Sequence, residues 1–234
     1  MTTSQSIVVD HLARLDDGTL RVAGVDGRHE CIAPLLTDVA WATSDTTRAG
    51  GPFGIGEVVD LGFSRRTGTP PLVEERTVEH GALERLGRLP DSDFWTLLET
   101  LGEDSLPAIF GLDLVRQPTG AASVPKGRGR ASLGILRCPG PAELFRRGGH
   151  LRMGIDDLGL GSLDLAVHDF RLRNEAGLPV DSLWKVIRRR VLGGEPVILS
   201  VGLSAPFNGA HWLRVDNIHF RDYFDDHPVF RFAR

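Results

Sequence analysis

Two apolar, β-rich runs near the end of the chain, "PVILSVGL" (196–203) and "HWLRVDNIHF" (211–220), flank the segment "SAPFNGA". That segment ends in Asn208-Gly209, a pair that takes the positive φ angles of a tight hairpin turn at little cost. The pattern predicts antiparallel strands over 197–203 and 211–219, connected by 204–210.

The first half is written the same way. "SIVVDHLARL" and "TLRVAGVD" meet at Asp16-Asp17-Gly18, and Asp26-Gly27 precedes "HECIAPLL", which reads as a meander of antiparallel strands. "EVVDLGFSR" (57–65) reads as a further strand. A helix follows, with Asp91 or Ser92 as its cap, Phe94, Leu97, Leu98 and Leu101 at helical spacing, and Gly102 at its end. In the second half "ASLGILRC" (131–138), "HLRMGID" (150–156) and "SLDLAVHDFRLR" (162–173) read as strands. "DSLWKVIRRRVLGG" (181–194) reads as an amphipathic helix burying Leu183, Val186, Ile187, Val191 and Leu192.

Short strands, turn punctuation and one helix per half predict a mainly β fold with a few helices. Two small barrels or sandwiches fit this better than a βαβ sheet. "RQPTGAASVPKGRGRAS" (116–132) lacks an apolar period, so the boundary is placed near residue 118. The expected modules are 6–117, with the helical segment, and 118–222, followed by a tail at 223–234.

No run approaches the ~18 apolar residues of a membrane span, and the start lacks the basic and apolar regions of a secretory signal. Cys31 and Cys138 stand alone, as reduced thiols do, so a cytoplasmic location is expected, with no membrane partner. A net charge of −4 argues against a generally basic nucleic-acid binder. The charge is uneven: residues 1–117 carry 10 basic and 19 acidic groups, and residues 118–234 carry 17 and 12. A polyanion would therefore meet the second half, although the halves attracting each other explains the same asymmetry.

Signatures of catalysis are missing. There is no phosphate-binding G-x-x-x-x-G-K-[ST], no H-E-x-x-H, no G-x-S-x-G and no cysteine cluster, and "GPFGIG" and "LGLG" are bare G-x-G loops. Asp156-Asp157, Asp164, His168-Asp169 and Asp225-Asp226-His227 are candidate metal ligands by residue type. Nothing in their spacing fixes ligand number, and Asp164 and His168 read as a hydrogen-bonded pair on one strand face. No catalytic residue, metal or cofactor is assigned. Two basic clusters remain. Lys126, Arg128 and Arg130 lie in a glycine-spaced loop, either a solvated linker or a tracker of phosphates. Arg188, Arg189 and Arg190 sit where a helix C-terminus favours cations anyway. Phe207, Asn208, His211, Trp212 and Arg214 fall at the hairpin, either as barrel caps or as a rim on which a base stacks.

"SLDLAVHDF", followed by "VILSVGLSAPFNGAHWLRVDNI", resembles the C-terminal signature of the prokaryotic dual OB-containing domain family. "RVAGVDGRHECIAPL" (21–35) and "GIGEVVDLGF" resemble its N-terminal elements more loosely, with Ala33 where an Arg is common. The resemblance implies two OB-like barrels and a role in nucleic-acid recognition within defence systems, and it implies no reaction. The resulting expectation is a non-catalytic protein of two OB-like modules. Its partner would be single-stranded nucleic acid or a nucleotide-like ligand, contacted by Phe207, Asn208, His211, Trp212 and Arg214, with Lys126, Arg128 and Arg130 on phosphates. The alternatives are an adaptor or sensor that binds a protein partner and, last, a metal-dependent hydrolase centred on Asp164 and His168.

Overall fold

Turns built on Asp17-Gly18 and Asp26-Gly27 fold the first third of the chain into hairpins. In the computed structural model, which describes residues 5–138 and 140–222, strands β1 (Ser6–Arg14), β2 (Leu20–Asp26) and β3 (Cys31–Leu35) form an antiparallel meander. β4 (Glu57–Asp60) lies antiparallel to the start of β1. After a bend at Gly62 (φ 61°), β5 (Ser64–Arg66) pairs with β6 (Glu75–Val78), which runs parallel to β3. β7 (Glu84–Arg88) edges the sheet beside β4. The order is β5-β6-β3-β2-β1-β4-β7. Because β4 and β5 lie near opposite ends of that order yet are consecutive in the chain, the sheet must curl back on itself. The bend falls at Gly62 because a side chain there would need a strained φ and would press on Ala82. The single strand expected over 57–65 is therefore two, and β6 and β7 lie in a stretch without alternating apolar residues.

Helix α1 (Asp91–Leu101) covers this sheet with Phe94, Trp95 and Leu98. Pro90 takes the capping position and makes no side-chain bond, so Asp91 and Ser92 lie within the first turn instead of capping it. Their neighbour Asp93 and Asp91 itself still favour that end through the helix dipole.

The second sheet has eight strands. β11 (Ala142–Arg147), β12 (His150–Asp157) and β13 (Gly161–Val167) form another meander. Helix α3 (Asp181–Leu192) follows, with Leu183, Ile187 and Val191 buried. β14 (Ile198–Leu203) and β15 (Ala210–His219) are paired antiparallel from Ile198–His219 to Leu203–Leu213, the hairpin read from the sequence. β15 also runs parallel to β13, and β10 (Leu133–Arg137) pairs with β14. Both sheets thus contain the same five-strand path: a three-stranded meander, a parallel pair between its third strand and a later strand (β6 or β15), then an antiparallel pair of that strand with the one just before it (β5 or β14).

The glycine-rich stretch read as an interdomain linker is structured. β8 (Val115–Arg116) and β9 (Ala122–Pro125) form a hairpin, and β9 pairs with the start of β15. Helix α2 (Leu106–Phe110) also precedes residue 118, and its Leu106, Ile109 and Phe110 pack into the second core. Conversely Ile135, Phe170 and Ile198 pack into the first. The two β-rich modules interlock.

β1 and β15 meet at the seam. Each carries a bulge at an aspartate: Asp10 is the extra residue between Val9 and His11, and Asp216 between Val215 and Asn217. Beyond residue 8 the edge of β1 is no longer paired with β4. There the buried Asn217 side chain takes over, accepting from Leu12 N (2.6 Å) and donating to Leu12 O (3.1 Å). The ion pair of Asp169 and Arg171 does the same for β15: Asp169 Oδ2 accepts from Ile218 N (3.0 Å) and Arg171 Nη2 donates to Ile218 O (2.7 Å). Buried backbone groups need such partners wherever a strand is missing.

Candidate nucleic-acid interface

The hairpin tip is built by local chemistry. Asn208 (φ 51°) and Gly209 (φ 78°) both hold positive φ, and Phe207 and Ala210 exchange hydrogen bonds of 2.8 and 3.2 Å across them. This is the type I′ geometry that matches strand twist. Ser204 closes the other end, with Ser204 N donating to Trp212 O (2.9 Å) and its hydroxyl accepting from Trp212 N (3.0 Å). The Trp212 indole N–H donates to Phe207 O (3.1 Å), which leaves the half-buried ring braced against the turn. Phe207 is 66% exposed, and Asn208 is exposed beside it.

β9 brings the basic loop to the same place. Pairing of Pro125 with Ala210 and of Ser123 with Trp212 ends in a bond from Lys126 N to Gly209 O (2.9 Å). Lys126 and Arg128 are exposed and follow directly from the strand. The loop is tied down: Arg128 N donates to Pro125 O, and Gly129 N to Asp113 Oδ2 (3.1 Å). Phe207, Asn208, Trp212, Lys126 and Arg128 therefore converge at one rim.

Three of the residues expected there do other work. Arg130 donates to the carbonyls of Ala108 and Ile109 at the end of α2, so its charge is committed to a helix C-terminus. His211 is buried, its Nδ1 bonded to Ser204 O (2.9 Å), because it points into the second core side of β15. Arg214 is 5% exposed and donates to the wholly buried Asp216 (2.6 Å). Neither His211 nor Arg214 is a surface contact: His211 lies on the second-core side of β15, and Arg214 is held inside by Asp216.

The seam below the rim holds a buried polar network that the sequence reading missed. His11 Nδ1 bonds Asp10 Oδ1 (2.9 Å) and its Nε2 approaches Val201 O (3.3 Å). Burial would lower the His11 pKa, yet the charges of Asp10 and Asp216 and these bonds outweigh it, and the pKa is raised. Burial would likewise raise Asp216, but Arg214, His11 and Arg21 hold it below the usual carboxylate range. Ser200 donates to Asp10 O (2.8 Å) and accepts from His219 Nε2 (2.8 Å), and burial keeps His219 well below its ordinary value. Glu74 accepts from Ser132 N and from its hydroxyl (2.6 Å). The paired motifs "VDHL" (9–12) and "VDNI" (215–218) are the signal that would have found this seam.

Asp164 and His168 do not bond each other. Asp164 accepts from Arg152 (2.6 Å) and Arg147, whereas His168 lies past the end of β13 and accepts from Arg173 (2.8 Å). They are separate structural groups, not the pair expected. Asp157 caps backbone amides of Leu106, Gly159 and Leu160, and Asp156 accepts from Ser162. Asp225-Asp226-His227 lies outside the described residues. Among the described residues no three His, Cys, Asp or Glu side chains converge to hold a metal, and no helix is long and apolar enough to cross a membrane. Cys31 and Cys138 are free, and burial raises both thiols. Compared with protein-family models and with curated proteins, the chain matches none.

Proposed function

We propose that the chain is a non-catalytic binding protein of the dual OB-containing type. Its second module takes single-stranded nucleic acid, or a nucleotide-like ligand, on the rim of Phe207, Asn208, Trp212, Lys126 and Arg128. The observation that carries this reading is the strand pairing that sets an exposed aromatic turn against an exposed basic loop. A base stacks on a ring while cations track the backbone, which is how small barrels hold single strands. The shared strand path of the two sheets supports the OB reading, which calls for Greek-key barrels of about five strands.

The test is fluorescence anisotropy with labelled single-stranded oligonucleotides across a salt series. Trp212→Ala is expected to cost about 1–3 kcal/mol with little change in salt slope. Replacing Lys126 and Arg128 by Gln is expected to weaken all sequences alike and to flatten the slope by about 0.7 per lost phosphate contact. Absence of saturable binding by the wild-type protein at low salt would sink the proposal.

A second reading, an adaptor for a protein partner, draws on Val115. It is 51% exposed and sits in the same cross-strand row as Ser123 and Trp212, extending the rim as an apolar patch. Binding that survives at high salt and needs Val115, with no affinity for oligonucleotides, would favour it.

A further inference from the structure

A cavity of about 140 Å³ lies where the turn between β1 and β2 approaches the ends of β12 and β13. Its polar wall consists of Arg152, Arg173, His150, His168 and Asp16. The residues are held in position independently of any occupant. The buried Arg173 guanidinium donates to Gly177 O (2.7 Å), Arg14 O (2.7 Å) and Asp16 Oδ1 (2.6 Å). It also donates to His168 Nδ1 (2.8 Å), which places the ring's own proton on Nε2. Burial and the charges of Arg214 and Arg173 keep the His168 pKa down at about 4, so the ring is a neutral donor at pH 7. Arg152 is anchored by the side chain and the backbone carbonyl of Asp164 (2.6 and 2.7 Å).

Charge and size then narrow the occupant. Of the charged lining residues, the guanidiniums of Arg152 and Arg173 stand against the one carboxylate of Asp16, and Asp164, which holds Arg152, is also paired with Arg147. The volume holds about four or five waters and is well below the ~300 Å³ at which sites for drug-sized ligands begin. Guanidinium groups match the oxygens of a tetrahedral anion better than any other side chain does.

We propose that this cavity receives a phosphoryl group, met as free phosphate or as the terminal phosphate of a nucleotide, with Arg152, Arg173 and His168 Nε2–H as its donors. The site is separate from the hairpin rim. Asp16 supplies the sharpest test, because its carboxylate shares the wall with the incoming anion and is 70% exposed. Asparagine there keeps an acceptor oxygen for the buried Arg173 while it removes a repulsion.

Isothermal titration of the full chain with inorganic phosphate, and separately with 5′-AMP, reads the outcome at low ionic strength. Saturable binding is expected, tightened about three- to tenfold by Asp16→Asn and weakened about tenfold or more by Arg152→Gln. If AMP binds more tightly than phosphate, the source is a nucleotide; equal affinity assigns the free anion. Should Arg152→Gln fail to fold, Asp16→Asn decides alone. No saturable binding of either probe by the wild type or Asp16→Asn overturns the proposal. Binding indifferent to both variants but lost on replacing Lys126 and Arg128 also overturns it, and assigns the anion to the rim.

Discussion

Replacing Asn217 by Ala tests whether one side chain stands in for a missing strand. The Asn217 amide is fully buried and supplies both hydrogen bonds of Leu12, on the stretch of β1 that β4 no longer covers. Alanine cannot reach either atom, and no water-filled surface lies alongside to replace it. A buried donor or acceptor left without a partner costs about 1–3 kcal/mol. Two such groups make the expected loss about 2–6 kcal/mol, a large share of the roughly 5–15 kcal/mol that keeps a typical protein folded. For a chain of this size that is a fall in melting temperature on the order of 5–15 °C. Urea denaturation followed by the fluorescence of the four tryptophans measures it. Asn217→Asp should do no better at pH 7: it keeps an acceptor for Leu12 N, cannot donate to Leu12 O, and adds a charge beside Asp216. A loss below about 1 kcal/mol with an unchanged m-value would refute the idea that this amide closes the edge of β1.

The other ion-paired end of the seam should respond similarly. Arg171→Met strands the buried Asp169 carboxylate and is expected to cost about 3–5 kcal/mol; adding Asp169→Asn should recover part of it, and strict additivity in denaturation would argue against the pair. Stability should peak near pH 6.5–7 in urea titrations run from pH 4 to 8.5. His168 and His219 have lowered pKa values, so their contribution is present above the unfolded value of about 6.5 and is lost as pH falls, for His168 towards about 4. His11 is raised, so its contribution is present below about 6.5 and is lost as pH rises through its folded value; His11→Gln should flatten the alkaline limb alone. Gly24→Ala should destabilise by more than about 2 kcal/mol in the same assay, because a methyl at Gly24 would collide with the Val8 carbonyl beside the Asp10 bulge.

What was legible in the sequence is local. Asn208-Gly209 dictates a type I′ turn whatever surrounds it, and the apolar runs beside it make the β14–β15 hairpin. Asp-Gly turns similarly set the first meander, and the stripe of Leu183, Ile187 and Val191 makes α3 amphipathic. These features need only the chain's own dihedral preferences and one buried face.

Tertiary structure decided the rest, because it depends on partners far away in sequence. β8 and β9 are two and four residues long, too short to announce themselves within a glycine-rich stretch, and β9 takes its register from β15 more than 80 positions later. His211, Trp212 and Arg214 look alike as rim candidates in the sequence. Packing against β9 and the second core buries His211, the buried Asp216 draws in Arg214, and Trp212 stays half-exposed. Asn217 reads as an ordinary polar residue in a strand until β1, some 205 positions away, presents an unpaired backbone amide and carbonyl to it. A turn is chosen by the residues that form it, but a buried hydrogen-bonding group is satisfied by whatever the fold brings opposite it.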